Sequence, residues 1–401
     1  MMKKIINNII CYLPLILFVL IWIVRGFSGH YVPVAYNSDI MDYEAEGSVI
    51  SNLLYGLVFI VFICYSFAAK FKSNGLNFIF ITSIIIGILY FAEGIIVHDE
   101  HFFPLSRAAL NPLYLLIFPT AFVAYDKRGV EPLLKIIICI SLLFVVLGIY
   151  VFITDVNGLI VRGHTPILQF RTGAFWGFVF YMSFKPQISK TDYLILLLGL
   201  IWCTLISFII ASRSWCVQGI LSLLILHFIA FKTDTTKKLS FFALGLFCIC
   251  VVPNLYDLFF DSIWYDMFIN KLEQDTRSMQ YVEVFKQMPL SYFIFGNGFY
   301  TSWIQDSVEY RYIDNQTIMF LYRYGLLPTI TYYIFILTPV VRILKKHEKA
   351  NYRNLIFIFM WVMAINGLAV FNTLNWDWSN YLVAFASAHM WNMSKPSIVH
   401  E

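Results

Sequence analysis

Charged residues are scarce in this sequence of 401 residues. They make up 13% of it, against roughly 25% in soluble domains, and the mean hydropathy is +0.73. The apolar residues fall in runs of about 20, the length of a helix that crosses the hydrocarbon core of a membrane. The alternation over about ten residues that is typical of membrane strands is absent. We therefore predict an all-α polytopic membrane protein that forms a single transmembrane domain, 1–401.

Several chemical signatures are missing as well. The seven cysteines lie in apolar segments, and an odd number of them argues against a disulfide framework. The sequence has no G-x-x-x-x-G-K-[ST] loop for phosphates and no Asp-x-Asp pair that would hold the metal of a nucleotide-sugar transferase. Gly296-Asn297-Gly298 lacks the remaining glycine of a dinucleotide loop. We expect no nucleotide, no metal and no other cofactor.

Twelve apolar segments are predicted to span the membrane, and two of them are short enough to need extension or tilt. The spans are 8–24, 49–69, 78–97, 107–125, 133–154, 172–184, 193–211, 215–231, 239–256, 314–341, 355–371 and 380–392. Lysine and arginine concentrate in the even-numbered links and at both chain ends, which the positive-inside rule assigns to the cytoplasm. The first loop (25–47), the loop 155–171 and the large, helical loop 257–313 are then predicted to face outward.

A few arginines fall on the predicted outer side, against this bias. Arg213 stands between two spans that are joined by almost nothing, so it lies at membrane depth, where an arginine costs about 3 kcal/mol or more and indicates function. A snorkelling interfacial arginine is the alternative. Arg277 lies in an amphipathic part of the large loop, beside acidic residues with which it could form a surface ion pair instead. Arg162 and Arg171 lie in the loop 155–171, and Arg171 is followed by small residues that a lipid head group could approach.

Arginines that converge on an outward cavity suit a pyrophosphate ligand. The guanidinium group binds phosphate oxygens through two parallel hydrogen bonds and stays charged at membrane depth. Aromatic residues of the outer loops are candidates either for stacking on sugars or for the belt at the membrane interface. These residues are Trp303, Tyr310, Tyr312, Trp376 and Trp378.

The sequence resembles a known family, the O-antigen ligases and Wzy-type O-antigen polymerases, in architecture over the whole chain and in motifs from about 205 to 335. That family carries a His or Asp followed by Asn, Ser or Gln, and then a glycine turn after nine more residues. The matching positions, in chain order, are Ser212-Arg213, Arg277, Pro289-Leu290 with Phe295-Gly296-Asn297-Gly298-Phe299, and Asp314-Asn315 with Gly325-Leu326-Leu327-Pro328-Thr329. The large loop before the tenth of twelve spans fits the GT-C-like architecture that this resemblance implies.

The resemblance implies a role for each matched residue. Arg213 and Arg277 would bind the diphosphate of a polyprenyl carrier, and Asp314 would orient or deprotonate the acceptor hydroxyl. Asp314 stands where the ligases have histidine, which looks more like the polymerase branch. The alternative is that Asp314 caps the tenth span, and Pro328 is expected to loosen the glycine turn. With Asp314, Arg277 and Arg213 as catalytic residues, the expected substrate-binding residues are Arg171, Arg162, Asn315, Gly296, Gly298 and Tyr281.

The implied activity is polymerisation of undecaprenyl-diphosphate-linked oligosaccharide repeat units into O-antigen or capsular polysaccharide. The reaction would be a metal-independent, inverting glycosyl transfer on the outer face of the bacterial inner membrane. Expected partners are the lipid-linked oligosaccharide, membrane lipids and a chain-length regulator protein, with no nucleic acid. The near alternative is an O-antigen ligase or a protein O-oligosaccharyltransferase. A lipid-linked oligosaccharide flippase and an ion-coupled transporter, which predicts broken helices with intramembrane acids, are alternatives of other classes.

Overall fold

The computed structural model describes part of the chain, and the described part is mostly helical. Continuous stretches cover 131–154, 166–185, 187–209, 213–230, 276–297 and 315–345, with 40–41, 303–305, 308–310 and 313. Single helical positions are described between 13 and 24, 50 and 61, 81 and 85, and 382 and 391. The predicted spans 107–125, 239–256 and 355–371 lie outside the described residues, as do Arg162, Gly298 and Asp314.

The chain divides into two compact units. One unit covers Leu134–Met279, and the other combines Met1–Leu133 with Gln280–Glu401. The first contains nearly all of helix α1 (Glu131–Thr154) together with α2 (Pro166–Phe184), α3 (Lys190–Ile209) and α4 (Arg213–Ala230). The second contains three short strands, most of α5 (Thr276–Gln287), and all of α6 (Leu290–Phe295), α7 (Gln316–Tyr324) and α8 (Leu326–Lys345). The single transmembrane domain stays a prediction.

Helices α1 to α4 occupy the fifth to eighth predicted spans. Two stretches of them, Leu133–Thr154 and Lys190–Ile209, are long and apolar enough to cross a membrane by length and composition. Both also expose large apolar side chains, such as Ile153 and Leu198, as a helix in contact with lipid does. These two helices lend weak support to a helical membrane protein, while the total of twelve spans stays a prediction.

Helix α2 begins earlier than the predicted span 172–184. It starts at Pro166 and has 19 residues, and proline suits the first position of a helix because its missing N–H would have no partner there. This extension places Arg171 and Gly173 inside the helix. A Cβ atom on Gly173 would lie 2.8 Å from ring atoms of Phe144 on α1. The small residue at 173 therefore allows two helices to pack closely.

The turn between α2 and α3 is fixed by a reciprocal cap. The Ser189 hydroxyl accepts a hydrogen bond from the Asp192 N–H at 3.1 Å, and the Asp192 carboxylate accepts one from the Ser189 N–H at 3.0 Å, as in a capping box. The Tyr181 hydroxyl, near the end of α2, donates to the same carboxylate at 2.6 Å. This turn carries Lys185 and Lys190, which the charge pattern assigns to the cytoplasm.

Three short strands connect the first predicted outward loop with the large one. Strands β1 (Ile40–Met41), β2 (Trp303–Gln305) and β3 (Val308–Tyr310) form a sheet in the order β1-β3-β2. Strands β2 and β3 are antiparallel, whereas β1 runs parallel to β3. The large loop was predicted to be helical, so these strands are an addition. Their pairing places Ile40–Met41 beside the large loop, and the orientation of the chain stays a prediction.

The tenth predicted span, 314–341, is not one helix. Helix α7 ends at Tyr324 and α8 begins at Leu326, with Gly325 between them at a φ of 78°. The rings of Phe320 and Tyr332 lie 5.6 Å apart. Because each of these residues is several positions from Gly325, α7 must fold back along α8. The structure therefore replaces the predicted straight span with a helical hairpin.

Helix α8 also binds the last predicted span, 380–392. Pro339 lies inside α8 and lacks the N–H that would otherwise bond to the Phe335 carbonyl. That carbonyl accepts hydrogen bonds from the Ser387 hydroxyl at 2.7 Å and from the Trp391 indole N–H at 2.8 Å. The Arg342 guanidinium lies 4.6 Å from the centre of the Trp391 ring. The carbonyl that the proline frees thus serves to attach a second helical segment.

Candidate functional site

Arg171 is completely buried among helices α2, α3 and α4. Its Nε donates to the Cys203 carbonyl oxygen at 3.1 Å and its Nη2 donates to the Trp215 carbonyl oxygen at 3.2 Å. The guanidinium carbon lies 4.2 Å from the centre of the Trp215 ring and 5.0 Å from the centre of the Phe175 ring. Arg171 therefore joins three helices through two carbonyl groups and two aromatic faces.

No carboxylate pairs with Arg171 among the residues that the structure describes. Its Nη1 atom is also buried and makes no hydrogen bond there. The two carbonyl dipoles and the aromatic rings offset part of the cost of burying this charge. The Arg171 side chain has no exposed surface, so a ligand could reach it only after local rearrangement. Its contacts instead hold the three helices together.

Arg213 is the first residue of α4, two positions before Trp215. Helix α3 ends at Ile209, so the junction that the sequence predicted to be very short is indeed only three residues long. Because Arg171 binds both the carbonyl and the ring of Trp215, it fixes the first turn of α4. That turn carries the backbone of Arg213, whose side chain lies outside the described part.

The large loop and helix α7 share a hydrophobic core, which we call the loop core. The Trp303 side chain in it is 1% exposed and stacks on Tyr310 at 4.8 Å between ring centres. Tyr281 packs against the loop core and is partly buried. Trp303 therefore serves in packing and not in the interface belt or in stacking on sugars. The buried members are Val284, Trp303, Ile313, Met319 and Tyr322.

Arg277 and Tyr281 lie one turn apart on α5, which confirms a helix in this part of the loop. The side chain of Arg277 is not described. At the other end of α5, the Gln287 amide donates to the Ile304 carbonyl at 2.6 Å and accepts from the Ile304 N–H at 2.8 Å. Gln287 thus acts as a strand partner for β2 and fixes the helix to the hairpin.

Two glycines of the family-like motifs meet at the start of α8. Gly296 ends α6 at a φ of 82° and Gly325 ends α7 at a φ of 78°. A Cβ atom on Gly325 would lie 2.6 Å from the Gly296 nitrogen and from the Phe295 carbonyl carbon. The Gly296 N–H donates to the Tyr292 carbonyl at 2.7 Å, so it is not available to a phosphate. The absence of a side chain at Gly325 allows the two backbones to approach each other closely.

Pro328 does not disturb this turn. It lies in the first turn of α8, where the backbone N–H groups have no partner within the helix. The Thr329 hydroxyl donates to the Gly325 carbonyl at 2.7 Å, which adds a further bond at the joint. The expectation that Pro328 loosens the turn is therefore wrong.

Asn315 is the N-cap of α7. Its side-chain oxygen accepts a hydrogen bond from the Ile318 N–H at 3.1 Å, and its backbone carbonyl accepts one from the Met319 N–H at 2.9 Å. The side chain is 8% exposed, and its Nδ2 group makes no hydrogen bond with a described residue. The capping role that was the alternative for Asp314 is thus taken by Asn315, and Asp314 itself lies outside the described part.

A polar pair lies close to Asn315 that the sequence did not single out. The Thr317 hydroxyl on α7 is hydrogen-bonded to the Tyr333 hydroxyl on α8. Tyr333 is the eighth residue of α8, which is about 10 Å along its axis at 1.5 Å per residue. The N-terminal end of α7, which follows the Asp314-Asn315 motif, therefore lies alongside α8. The contact between Thr317 and Tyr333 crosses the sharp turn at Gly325, so the two residues are not separated by a helical or strand repeat in the sequence. Only the structure could reveal this pair.

The described residues contain no group of three or more His, Cys, Asp or Glu side chains that could hold a metal ion. Comparison with protein-family models, curated proteins and solved structures finds no match for the chain.

Proposed function

We propose that the protein polymerises lipid-linked oligosaccharide repeat units on the outer face of the bacterial inner membrane, with both chain termini in the cytoplasm. The donor is a glycan on undecaprenyl diphosphate, and the product is an O-antigen or capsular polysaccharide. The sequence motifs name Asp314, Arg277 and Arg213 as its catalytic residues. The proposal rests on the ordered set of sequence motifs and on what the described residues do with them.

One observation carries most of the weight. The Phe-Gly-Asn-Gly-Phe motif and the glycine that follows Asp314-Asn315 are separated along the chain, yet Gly296 and Gly325 pack backbone against backbone. Gly325 has no room for a side chain because the backbone of Phe295 and Gly296 lies against it. The contact between the two motifs supports the view that both belong to one constructed site.

The helical hairpin also supports the proposal. Because α7 folds back along α8, Asn315 lies at least about 10 Å along α8 from its first residue, in the outer half of that helix in the predicted orientation. An acceptor sugar bound there would be close to the head group of a lipid-linked donor in the outer leaflet. The Nδ2 group of Asn315, which its capping bond leaves unused, is a donor for a sugar hydroxyl.

In the proposed reaction, Asp314 accepts the proton of the acceptor hydroxyl while the hydroxyl oxygen attacks the anomeric carbon of the donor. The bond from that carbon to the diphosphate oxygen breaks, and its electron pair leaves with the carrier diphosphate. Arg213 and Arg277 stabilise the charge that develops on the leaving group. Arg171 does not contact substrate in this scheme; it fixes the turn that carries Arg213. Attack from the face opposite the leaving group inverts the anomeric centre.

A transporter is the second candidate because α7 and α8 form a broken helix, as ion-coupled transporters require. Such a protein also needs acids at membrane depth. The described apolar helices α1 to α4 carry acids only in first turns, Glu131 and Asp192, and Glu93 is the one acid inside a predicted span besides Asp314 at the start of the tenth. This observation favours the transferase.

The test is deletion of the gene in the cell that makes the protein, with complementation by wild type or variants and analysis of the polysaccharide ladder. We expect wild type to restore a ladder, and Asp314→Asn or Arg277→Ala to leave single repeat units on the carrier at the outer face. Lys286→Ala, a change at an exposed loop position, is the control and should restore the ladder. Single units that accumulate on the inner face would indicate a flippase and refute the proposal.

A further inference from the structure

Helix α6 is apolar and aromatic, yet none of its residues is buried. The Leu290 side chain is 75% exposed, Phe295 is 73% exposed and Ile294 is 43% exposed. Leu290 and Ile294 lie one turn apart on the helix and Phe295 is its last residue; we call these three exposed side chains the α6 patch. No charged residue occurs between Lys286 and Asp306. Exposure of this kind in a six-residue helix indicates contact with a partner that covers apolar surface.

The α6 patch is held directly at the start of α8. Gly325, the residue before α8, packs against the backbone of Phe295 and Gly296. The Asn297 N–H donates to the Tyr322 carbonyl at 2.9 Å, which fixes the end of α6 to α7. Helix α6 therefore cannot move independently of the first turn of α8.

Helix α8 presents an exposed apolar stripe of its own. Leu327, Ile330 and Ile334 are 57%, 44% and 45% exposed, and they follow one another at helical spacing. The stretch Leu326–Arg342 is apolar. In the membrane arrangement proposed above, lipid covers this stripe, and the α6 patch lies at its outer end.

We propose that the α6 patch is a membrane-surface anchor that inserts Leu290 and Phe295 among the lipids of the outer leaflet. The same lipid surface that covers the stripe of α8 then covers α6, so one partner explains both exposed surfaces. A short apolar segment with aromatic residues and no charge fits the boundary between head groups and acyl chains. The anchor would hold the large loop against the membrane, next to the lipid-linked substrates of the proposed reaction.

The proposal rests on the membrane placement of α8 within the proposed function and not on the chemistry of the site. Its test uses the full chain in nanodiscs of phosphatidylethanolamine and phosphatidylglycerol that contain no polyprenyl carrier. Leu290→p-benzoylphenylalanine and Phe295→p-benzoylphenylalanine are irradiated, and phospholipid adducts are located by mass spectrometry. Lys286→p-benzoylphenylalanine is the control, because the Lys286 side chain is 63% exposed and charged.

We expect phospholipid adducts at positions 290 and 295 and none above background at 286. Equal adducts at all three positions, or none at 290 and 295, would overturn the proposal. Adducts between two protein chains at 290 and 295 would show that a second copy covers the patch, which also overturns it. A phospholipid with a diazirine in its acyl chain tests the unmodified protein, in which label should appear on 290–295. A failed anchor with an intact polysaccharide ladder would leave the proposed function standing.

Discussion

The backbone nitrogen of Gly296 occupies the space next to Gly325 so closely that a Cβ atom on Gly325 would lie 2.6 Å from it. Both glycines also adopt positive φ with ψ near 180°, a region of backbone conformation that is essentially limited to glycine. Neither constraint can be relieved by a change of rotamer, because the neighbouring atoms belong to the backbone. The joint between α6, α7 and α8 therefore depends on glycine at 325 for two independent reasons.

Gly325→Ala is expected to destabilise the protein markedly. The backbone conformation alone costs on the order of 1–3 kcal/mol for a residue with a Cβ atom, and the contact with Gly296 adds to it. Thermal unfolding of the purified protein in detergent measures the effect. The matched control is Leu327→Ala. Leu327 lies two residues after Gly325 and is exposed on α8, so this change should alter the unfolding temperature little. Equal stability of the two variants would contradict the close approach.

Two variants of Asn315 distinguish its role as a helix cap from a role in substrate binding. Asn315→Ala removes the cap of α7 and should cost about 1 kcal/mol, seen as a lower unfolding temperature. Asn315→Asp keeps a side-chain oxygen for the Ile318 N–H, so we expect it to retain stability. The same change removes the Nδ2 donor, and the polysaccharide ladder should therefore shorten or disappear. If Asn315→Asp preserves both stability and the ladder, Asn315 is a cap and nothing more.

Arg171→Lys tests the clamp between α2, α3 and α4. A single ammonium group cannot reach both the Cys203 and Trp215 carbonyls while it contacts two rings, and the loss of one hydrogen bond to a charged group costs roughly 1.5–3 kcal/mol. We expect a lower unfolding temperature. Arg342→Lys is the control, since the contact of Arg342 with the Trp391 ring is one that an ammonium group can also make. A full loss of polysaccharide without loss of stability would instead assign Arg171 to substrate binding.

Pro339 and Ser387 are expected to be energetically coupled. Ser387→Ala removes one of two donors to the Phe335 carbonyl and should cost about 0.5–1.5 kcal/mol. In a Pro339→Ala background the helix can supply its own N–H to that carbonyl, so the same serine change should cost less. A double-mutant cycle on unfolding temperatures measures the difference. Additive effects would show that the proline does not create the acceptor that Ser387 uses.

Much of the helical part of the fold could be predicted from the sequence, because long apolar runs between charged links have few alternative structures. The spans at 133–154 and 193–211 lie on α1 and α3 for this reason. The start of α2 at Pro166 was missed because an outward loop and an extended helix have similar composition there. Hydropathy also gave 314–341 as one span, since it does not register the single Gly325 at which the chain reverses.

The candidate site was less predictable, and the reasons are tertiary. Arg171 was predicted to bind substrate from an outward loop, whereas the packing of Trp215 and Phe175 around it encloses its side chain completely. Trp303 was predicted to lie in the interface belt or to stack on sugars, because it is an aromatic residue of an outer loop. The structure instead buries it in the loop core. In both cases the structure adds contacts from other elements: Cys203 and Trp215 for Arg171, and Val284 and Met319 in the cluster around Trp303.

The parallel pairing of Ile40–Met41 with Glu309–Tyr310 has a consequence for biogenesis. During synthesis β1 is translated long before its partner β3. The backbone hydrogen bonds between them can therefore form only after most of the chain has been made. Contacts of such high sequence separation form slowly. Completion of this sheet is therefore a late assembly step, which follows translation of Tyr310.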